Sequence, residues 1–342
     1  MKRVVLIGAG HGHLVVLRSL AEKPLYGARI TLVSPYPKQV YSGMLPGVLA
    51  GHYRRAEAQI DVAALAERAY VELELARVAG LDAAQRQVQL EDGRRLPYDL
   101  ASLNVGSLVD TSLPGAEHAL AVKPFEDFLS RLRIAERVAV IGAGIAGAEL
   151  AMALRHRGAQ VTLYSEQPAL PPRVIRQLRG RKVDFRPGMP ASAIEPGPVV
   201  LAGAARQKFE LVLLTTGAAP LPWLRASELA TDERGFVRVH STLQSVSHAE
   251  IFAMGDCATL EESPHPKSGV YAVRHGEALA ANLRRLFAGV PLEPYRPQAK
   301  ALLIVSCGAR YAIAMRGDWS AQGRLIWWWK NRIDRRWVRS FL

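Results

Sequence analysis

Cysteine is nearly absent from this 342-residue sequence, which contains only Cys257 and Cys307. Two cysteines give no disulfide framework, so we expect the chain in a reducing compartment, the cytoplasm. No apolar run approaches the roughly 18–20 residues that a membrane-spanning helix needs. The apolar start, VVLIGAG after Met-Lys-Arg, reaches a glycine turn at once and has no small-residue cleavage site. We therefore interpret it as a first strand and not as a signal peptide.

Signatures of metal and nucleic-acid binding are also missing. The formal net charge of +13 favours anionic partners, such as nucleic acid, anionic membranes or anionic cofactors. No zinc-type spacing occurs, and no Lys/Arg run is interleaved with single aromatic residues. We therefore expect no metal ion and no nucleic acid.

Residues 3–13, RVVLIGAGHGH, are the stretch around which the rest of the chain is organised. Four apolar residues lead into a glycine turn, and an apolar pattern follows, as in a buried parallel strand, a tight turn and a helix. Gly8 permits the turn, and Gly10 lets the backbone approach a pyrophosphate at the helix N-terminus. The stretch predicts a nucleotide-binding unit.

This first unit departs from the usual fingerprint at two positions. His13 replaces the third glycine, and Ser34 stands where an acidic residue usually bonds the ribose hydroxyls. Two interpretations of His11 and His13 are left open, namely direct contact with a ligand or solvated rings at a helix start. The following stretch, 35–53, is rich in Pro, Gly and Tyr, which favours a binding loop over a surface excursion.

The same pattern occurs again at residues 137–154, RVAVIGAGIAGAELAMAL, with all three glycines present. The helix that follows is predicted to run to about Arg157, with Gly158 as its stop. Ser165 ends the next strand and Glu166 follows it. A carboxylate there would repel a 2′-phosphate, which favours NADH over NADPH. The residues predicted to contact this nucleotide are Gly142, Gly144, Ile145, Ala146, Gly147, Ser165, Glu166 and Gly217.

Two further strands end in turns that point to a ligand. One ends at Gly106, and the other, IFAMGD at 251–256, ends in Gly255 and Asp256. Ligands bind beyond the carboxyl ends of such strands, so Asp256 is placed to accept a hydrogen bond from a ligand hydroxyl. The alternative is that Asp256 caps the segment that follows. A helix is predicted from residue 269 to about residue 287.

The tail, residues 316–342, contains five of the six tryptophans and an excess of basic residues. Its apolar residues at helical spacing are Ile326, Trp329, Ile333, Trp337 and Phe341. Tryptophan on one face and arginine on another is the pattern of a helix that lies in a bilayer interface. The alternative is a helix docked on the protein's own core or on a second subunit, as in a homodimer.

The ordered set of motifs resembles the two-dinucleotide flavoproteins, that is, the pyridine nucleotide–disulfide oxidoreductases and their relatives. Within that superfamily the chain looks most like type II NADH:quinone dehydrogenases and the oxidoreductase domain fused ahead of selenophosphate synthetase. The resemblance implies an α/β fold with two Rossmann-like domains, for FAD and NAD(P)H, the second inserted in the first. Its motifs are GAGHGH at 8–13, YSGMLPG at 41–47, GAGIAGAE at 142–149, TTG at 215–217, IFAMGDCA at 251–258, PKSGVYAVRHG at 266–276 and the tail.

Domain bounds and residue roles follow from the same resemblance. Residues 1–110 and 232–288 would bind FAD, residues 111–231 NAD(P)H, and residues 289–342 would form a C-terminal interface segment. Glu149 would lie beside the nicotinamide, and Lys123 would pair with it or form a structural ion pair. Around FAD, the resemblance implies Gly8, Gly10 and Gly12 at the pyrophosphate, Ser34 at the ribose, Val78 at the adenine, Asp256 at the ribityl chain, and a helix N-terminus near Val270 and Tyr271 at the flavin.

We therefore expect an FAD-dependent NAD(P)H dehydrogenase, with NADH preferred, that passes electrons from the flavin to a quinone-like acceptor. Disulfide reductases and sulfide:quinone oxidoreductases need cysteines at the flavin, and no cysteine precedes Cys257, where a packing role is favoured. The tail would hold the protein on the inner face of the cell membrane. Two alternatives remain: a soluble reductase of a protein or small electrophile, linked to selenium or sulfur metabolism, and a non-enzymatic flavin or nucleotide sensor.

Overall fold

The structure is a computed structural model that describes residues 1–166 and 170–342. Its first part begins with alternating strands and helices and ends in a run of strands. They are β1 (Lys2–Ile7), α1 (His11–Glu22), β2 (Ala28–Val33), β3 (Lys38–Val40), α2 (Leu45–Leu49), β4 (Gln59–Asp61), α3 (Val62–Arg68), β5 (Glu72–Glu74), β6 (Val78–Asp82), β7 (Gln87–Leu90), β8 (Arg95–Pro97), β9 (Leu100–Leu103) and β10 (Leu108–Val109).

The middle part repeats this alternation. Its elements are β11 (Leu120–Ala121), α4 (Phe125–Arg131), β12 (Arg137–Ile141), α5 (Ile145–His156), β13 (Gln160–Ser165), α6 (Pro172–Gly180), β14 (Asp184–Pro187), β15 (Ala193–Glu195), β16 (Val199–Ala202), β17 (Ala205–Lys208), β18 (Leu211–Leu214), β19 (Ala218–Ala219) and α7 (Trp223–Ala226). The last part comprises β20 (Val237–Val239), β21 (Ile251–Ala253), β22 (Ala258–Leu260), α8 (Gly269–Phe287), β23 (Leu303–Ser306), β24 (Ala312–Arg316), β25 (Trp319–Gly323) and α9 (Arg324–Arg339).

The first sheet has the strand order β21-β9-β1-β2-β5, and all of its strand pairs are parallel. The apolar run of β1 is buried, as expected of a strand covered on both faces. Helices α1 and α8 pack closely on each other at Gly12 and Gly276. The packing is so close that a Cβ at Gly276 would overlap the backbone of Gly12. The carboxyl ends of β1, β9 and β21 therefore lie side by side at one edge of the sheet.

The second sheet has the order β11-β18-β12-β13-β14 and is also parallel throughout. The two sheets confirm the predicted α/β fold with two Rossmann-like units. Strands β10 and β19 pair antiparallel where the chain leaves the first unit and returns to it. Leu224 and Leu229 are buried in the core of the first unit, so the chain is back in that unit before residue 232, the boundary suggested by the sequence.

The C-terminal segment joins the two units. Its antiparallel sheet β23-β24-β25 contributes Val305 and Ile313 to the core of the second unit. Helix α9 and the residues after it contribute Val338 and Phe341 to the core of the first. Along the described ranges, no helix is long and apolar enough to cross a membrane.

The stretch 35–53 is not one regular element, in agreement with its composition. It contains β3, a 3₁₀ turn at Ser42–Met44 and the short helix α2. Helix α3 begins at Val62, and the Asp61 carboxylate caps it by accepting from the Ala64 N–H at 3.0 Å. These short elements place residues 41–44 against the edge of the first sheet where the cavity lies.

Candidate functional site: a cavity at the edge of the first sheet

A cavity of about 470 Å³ opens at the carboxyl edge of the first sheet. The turn after β1, the end of β9, the crossover before α4 and the start of α8 surround it. Predicted site residues that line it are Gly8, Gly10, His11, Ser34, Val78, Gly106, Lys123 and Asp256. Lining residues that sequence reasoning did not single out include Tyr36, Asn104, Ser107, Trp223 and Lys267.

The backbone around the cavity suits an anionic cofactor. Gly8 has a φ of +86°, and a Cβ at Gly8 or Gly10 would overlap Asn104, so only glycine allows this turn. Helix α8 starts at the cavity with no side-chain cap and no acidic residue in its first turn. Its free N–H groups and dipole favour negative charge there. The glycine turn, the open helix end and the nearby lysines fit FAD.

Asn104 organises the cavity and was missed from the sequence. Its Oδ1 accepts from the N–H groups of Gly12 at 2.9 Å and His13 at 3.1 Å, and its Nδ2 donates to the Met254 carbonyl at 2.9 Å. One buried side chain thereby joins the start of α1 to the ends of β9 and β21. The only signal in the sequence is a polar residue directly after an apolar strand.

Lys123 and Asp256 form an ion pair inside the cavity wall. Lys123 Nζ lies 2.8 Å from Asp256 Oδ2 and also donates to Ser107 Oγ at 2.8 Å. Burial would raise the pKa of Asp256, but the charge and hydrogen bond of Lys123 outweigh it, so this pKa is lowered. Asp256 is therefore a carboxylate that can accept from a ligand hydroxyl. The suggested pairing of Lys123 with Glu149 is wrong.

His13 has neither of the two roles considered for it. Its ring is buried, with Nδ1 2.5 Å from the Gly8 carbonyl and Nε2 2.9 Å from Ser102 Oγ. Burial lowers the pKa of His13 to about 4, so the ring is neutral, donates to Gly8 and accepts from Ser102. The prediction that Gly12 faces a pyrophosphate is also wrong. Its N–H donates to Asn104, and the residue packs against α8.

His11 does line the cavity. Its ring centroid lies 5.5 Å from that of Tyr41, and its Nε2 lies 3.4 Å from Ser42 Oγ. Burial lowers the pKa of His11 to about 4, with Asp256 raising and Lys123 lowering it less strongly. His11 is therefore a neutral ring in the wall, held by the segment 41–44.

The start of α8 lies at the cavity, as predicted for a helix N-terminus near Val270 and Tyr271, but not through these two side chains. Val270 is exposed, and the Tyr271 ring stacks on His265 with centroids 4.0 Å apart, so neither side chain lines the cavity. Helix α8 reaches the cavity through Ser268, Gly269 and Ala272 instead. Gly255 also lies behind the wall, where its N–H donates to His275 Nδ1 at 3.1 Å.

The second glycine turn has the geometry of a nucleotide site. Gly142 has a φ of +106°, and a Cβ at Gly147 would overlap the Gly142 carbonyl, whereas Gly144 faces open space. Helix α5 begins there with no side-chain cap and no acidic residue in its first turn. Ile145 and Ala146 form that first turn. The remaining predicted residues are Ser165, which is buried at the end of β13, the exposed Glu166, and Gly217, whose carbonyl accepts from the Asp110 N–H at 2.8 Å.

Glu149 is half-buried on α5, between the second unit and the C-terminal segment. Its Oε1 accepts from the Ser306 N–H at 2.6 Å. Burial raises the pKa of Glu149 to about 7, although the Lys330 charge and the Ser306 hydrogen bonds lower it. The side chain exchanges a proton near neutral pH.

Helix α9 has two faces, and the predicted stripe lies along the border between them. The buried face runs through Lys330, Asp334 and Val338, so the expectation that Trp337 and Phe341 face a membrane is wrong. On the opposite face, Leu325 is 82% exposed and Trp328 is 56% exposed. The other exposed residues of that face are Arg324, Trp329, Arg332, Ile333, Arg336 and Arg339.

Comparison with known proteins agrees with this arrangement. The family described as pyridine nucleotide-disulphide oxidoreductase matches residues 2–276. The NADH dehydrogenase-like protein YutJ of Bacillus subtilis is 24% identical over 97% of this chain and 99% of its own length. The nitric oxide reductase FlRd-NAD(+) reductase of Aeromonas hydrophila is 30% identical over 75% of this chain and 70% of its own. The solved structure of a sulfide:quinone oxidoreductase from Aquifex aeolicus has a similar fold, with a TM-score of 0.81 at 16% identity, covering 100% of this chain and 91% of that one.

Proposed function

We propose that this chain, which belongs to the pyridine nucleotide-disulphide oxidoreductase family, oxidises NADH through FAD and passes the electrons to a quinone. As a member of that family, the chain is an oxidoreductase that uses FAD and NAD(P)H. The observation that carries the proposal is the cavity at the first sheet, which combines an open helix end with a Lys123–Asp256 pair and has no cysteine among its described lining residues.

Bound FAD would accept a hydride from the nicotinamide and release the two electrons to the acceptor. The residues of this chain hold and orient it. Gly8 and Gly10 would face the pyrophosphate, and Asp256, kept ionised by Lys123, would accept from a hydroxyl of the ribityl chain. The start of α8 would oppose the negative charge of the reduced ring system.

The preference for NADH rests on the end of β13. Glu166 is exposed directly after this strand, where it would repel a 2′-phosphate. NADPH would therefore bind more weakly than NADH. Glu149, whose pKa lies near neutral, is on α5, the helix that starts at the second glycine turn. The nicotinamide would be bound beside Glu149.

The chemistry of the cysteines supports an acceptor other than a disulfide. Both Cys257 and Cys307 are buried, and burial raises the pKa of each thiol. A thiol kept protonated is a poor nucleophile. Without a thiolate relay, electrons would pass from the flavin directly to a small oxidant such as a quinone.

The exposed face of α9 supports attachment to a membrane surface. Leu325 and Trp328 project from it among arginines, and Arg332 lies over the Trp328 ring at 5.9 Å. Tryptophan and leucine enter the acyl boundary while arginine stays at the headgroups. The protein would thus sit on the inner face of the cell membrane, close to quinones dissolved in it.

The first experiment is an anaerobic titration of the purified FAD-bound protein with NADH or NADPH, followed by addition of menaquinone or ubiquinone. We expect NADH to bleach the visible flavin absorbance at lower concentrations than NADPH, and a quinone to restore it. Bleaching without reoxidation by either quinone would exclude the proposed acceptor. No bleaching at all would favour a nucleotide sensor.

The second experiment tests attachment by flotation with anionic liposomes. We expect the wild type to float and the triple variant L325S/W328S/W329S to stay in the dense fraction. Tyr26→Ser, which removes an exposed ring from the loop between α1 and β2, is the control and should float. Equal flotation of wild type and triple variant would exclude α9 as the attachment site.

A protein acceptor is the second candidate, and one comparison favours it. The Aeromonas hydrophila relative is named as a reductase of FlRd, and it is 30% identical to this chain. If reduced protein is reoxidised faster by a rubredoxin or ferredoxin than by a quinone, this candidate replaces the first.

A further inference from the structure

Two charged side chains occupy the buried face of α9. Lys330 Nζ lies 2.7 Å from Asp334 Oδ2, and the two side chains are only 10% and 5% exposed. Taking two charges out of water costs more than a pair of apolar residues at the same positions would. Core-facing positions of a helix are normally apolar, so this pair requires an explanation other than stability.

The pair has a second set of partners in the segment 41–44. Lys330 Nζ donates to the Gly43 carbonyl at 2.6 Å, and the Asp334 carboxylate lies near enough to the Tyr41 hydroxyl to help raise its pKa. The Trp337 ring, on the next turn of α9, lies 6.0 Å from the Tyr41 ring. Helix α9 therefore contacts the backbone of Gly43 and the ring of Tyr41, and the charge of its Asp334 acts on the Tyr41 hydroxyl.

The segment 41–44, which α9 contacts, is also part of the cavity wall. Ser42 lines the cavity directly, and Tyr41 contacts the ring of His11, which lines it as well. The contacts thus run from the buried charges of α9, through Tyr41 and Gly43, to the site that fits FAD. Attachment of the helix itself does not need these charges, because Val338 and Phe341 are packed in the first core.

We propose that Lys330 and Asp334 are positioning residues of the FAD cavity, which hold His11 and Ser42 in its wall through Tyr41 and Gly43. This inference rests on the proposed function only in that FAD occupies the cavity; it does not depend on the acceptor. The tail helix is then a structural part of the cofactor site as well as a surface element.

The test uses the FAD-bound protein and four variants of the pair. Lys330→Met leaves a buried carboxylate alone, and Asp334→Leu leaves a buried ammonium group alone, so either variant can fail to fold. The double variant K330M/D334L replaces the pair by apolar groups of similar size, which usually preserves stability. It removes the contacts of Lys330 and Asp334 with Gly43 and Tyr41, while the rest of α9 stays packed. The matched control is R29M/E72L, which removes the exposed pair between β2 and β5.

We expect the double variant to melt close to the wild type but to release FAD roughly tenfold faster or more, the effect of losing a hydrogen bond to a charged group. We also expect shifted visible absorption bands and altered fluorescence of its bound FAD. The single variant Lys330→Arg, which keeps the charge, should retain most of the wild-type flavin spectrum. The control should match the wild type in both measurements.

A double variant with the wild-type FAD release rate and flavin spectrum would overturn the inference. This outcome is distinct from failure of the proposed function, because both readouts need only bound FAD. A wild type that binds FAD but is not reoxidised by quinones would end the proposed function and leave this test intact.

Discussion

Lys123 and Asp256 are joined by a 2.8 Å ion pair across the boundary between the two units. Lys123 belongs to the crossover that leads into the second unit, and Asp256 follows the edge strand of the first sheet. Ser107, which lies shortly before the chain leaves the first unit, forms hydrogen bonds with both side chains. The pair therefore fixes the crossover to the wall of the cofactor cavity.

Lys123→Met should weaken FAD binding and stability together. It leaves a largely buried carboxylate without its cation, which costs about 3 kcal/mol. The measurements are the FAD content after gel filtration and the melting temperature of the apoprotein. Arg3→Met, which breaks the exposed pair with Asp99, should have a much smaller effect on stability and serves as the control. Equal effects of the two substitutions would contradict the role of Lys123.

The two glycines of the second turn should respond differently to alanine. Gly147→Ala would push a Cβ into the Gly142 carbonyl and should destabilise the protein by about 1–3 kcal/mol. Gly144→Ala meets only open space, so it should melt like the wild type but bind NADH more weakly, because the added methyl group blocks the approach of the pyrophosphate. Thermal melting and anaerobic NADH titration separate the two effects. A Gly144→Ala protein with unchanged NADH affinity would place the nucleotide elsewhere.

Glu149→Gln should change how stability depends on pH. The pKa of Glu149 rises from its usual 4.5 to about 7 in the folded protein, chiefly through burial. Between these values the folded state holds a proton that the unfolded chain releases, so this group makes the protein less stable as pH rises. The variant lacks that loss, and its stability relative to the wild type should increase by roughly 3 kcal/mol between pH 4 and pH 8. A constant difference in melting temperature across that range would contradict the shifted pKa.

His13→Gln should act with the opposite sign. Burial lowers the pKa of His13 from 6.5 to about 4, so the unfolded chain binds a proton that the folded state refuses. The wild type should therefore lose stability as pH falls from about 6.5 to 4, with this residue contributing roughly 3 kcal/mol of the loss. Glutamine can still donate to Gly8, and the variant should show a shallower acid slope in melting experiments. An unchanged slope would mean that the ring is protonated in the folded protein.

Local patterns predicted the elements that depend on neighbouring residues in sequence. The two glycine turns lie where the sequence places them, because each is defined within a few residues. The parallel strands were recognisable for the same reason, since a strand buried on both faces reads as an apolar run.

Partnerships between distant residues were not predictable from one sequence. The sequence leaves His13 either at a ligand or in solvent, whereas β9 places Ser102 beside it. The sequence suggests Glu149 as the partner of Lys123, whereas the fold selects Asp256. Helix α9 shows the limit most clearly, because Lys330 and Asp334 are residue types that are almost never fully buried unless paired. Because both residues are charged, the sequence places the apolar face of the helix along the tryptophans instead.

The two faces of α9 also have a thermodynamic consequence. Trp328 faces solvent and Lys330 faces the cavity wall, although the two residues are only two positions apart on a single helix. If FAD binding strengthens attachment of the outer face to a membrane, linkage requires that this attachment strengthens FAD binding by the same free energy. Cofactor loading and surface attachment would then be coupled equilibria, so that apoprotein is released and holoprotein is retained. The supply of flavin in the cell would set the fraction of this enzyme that works at the surface.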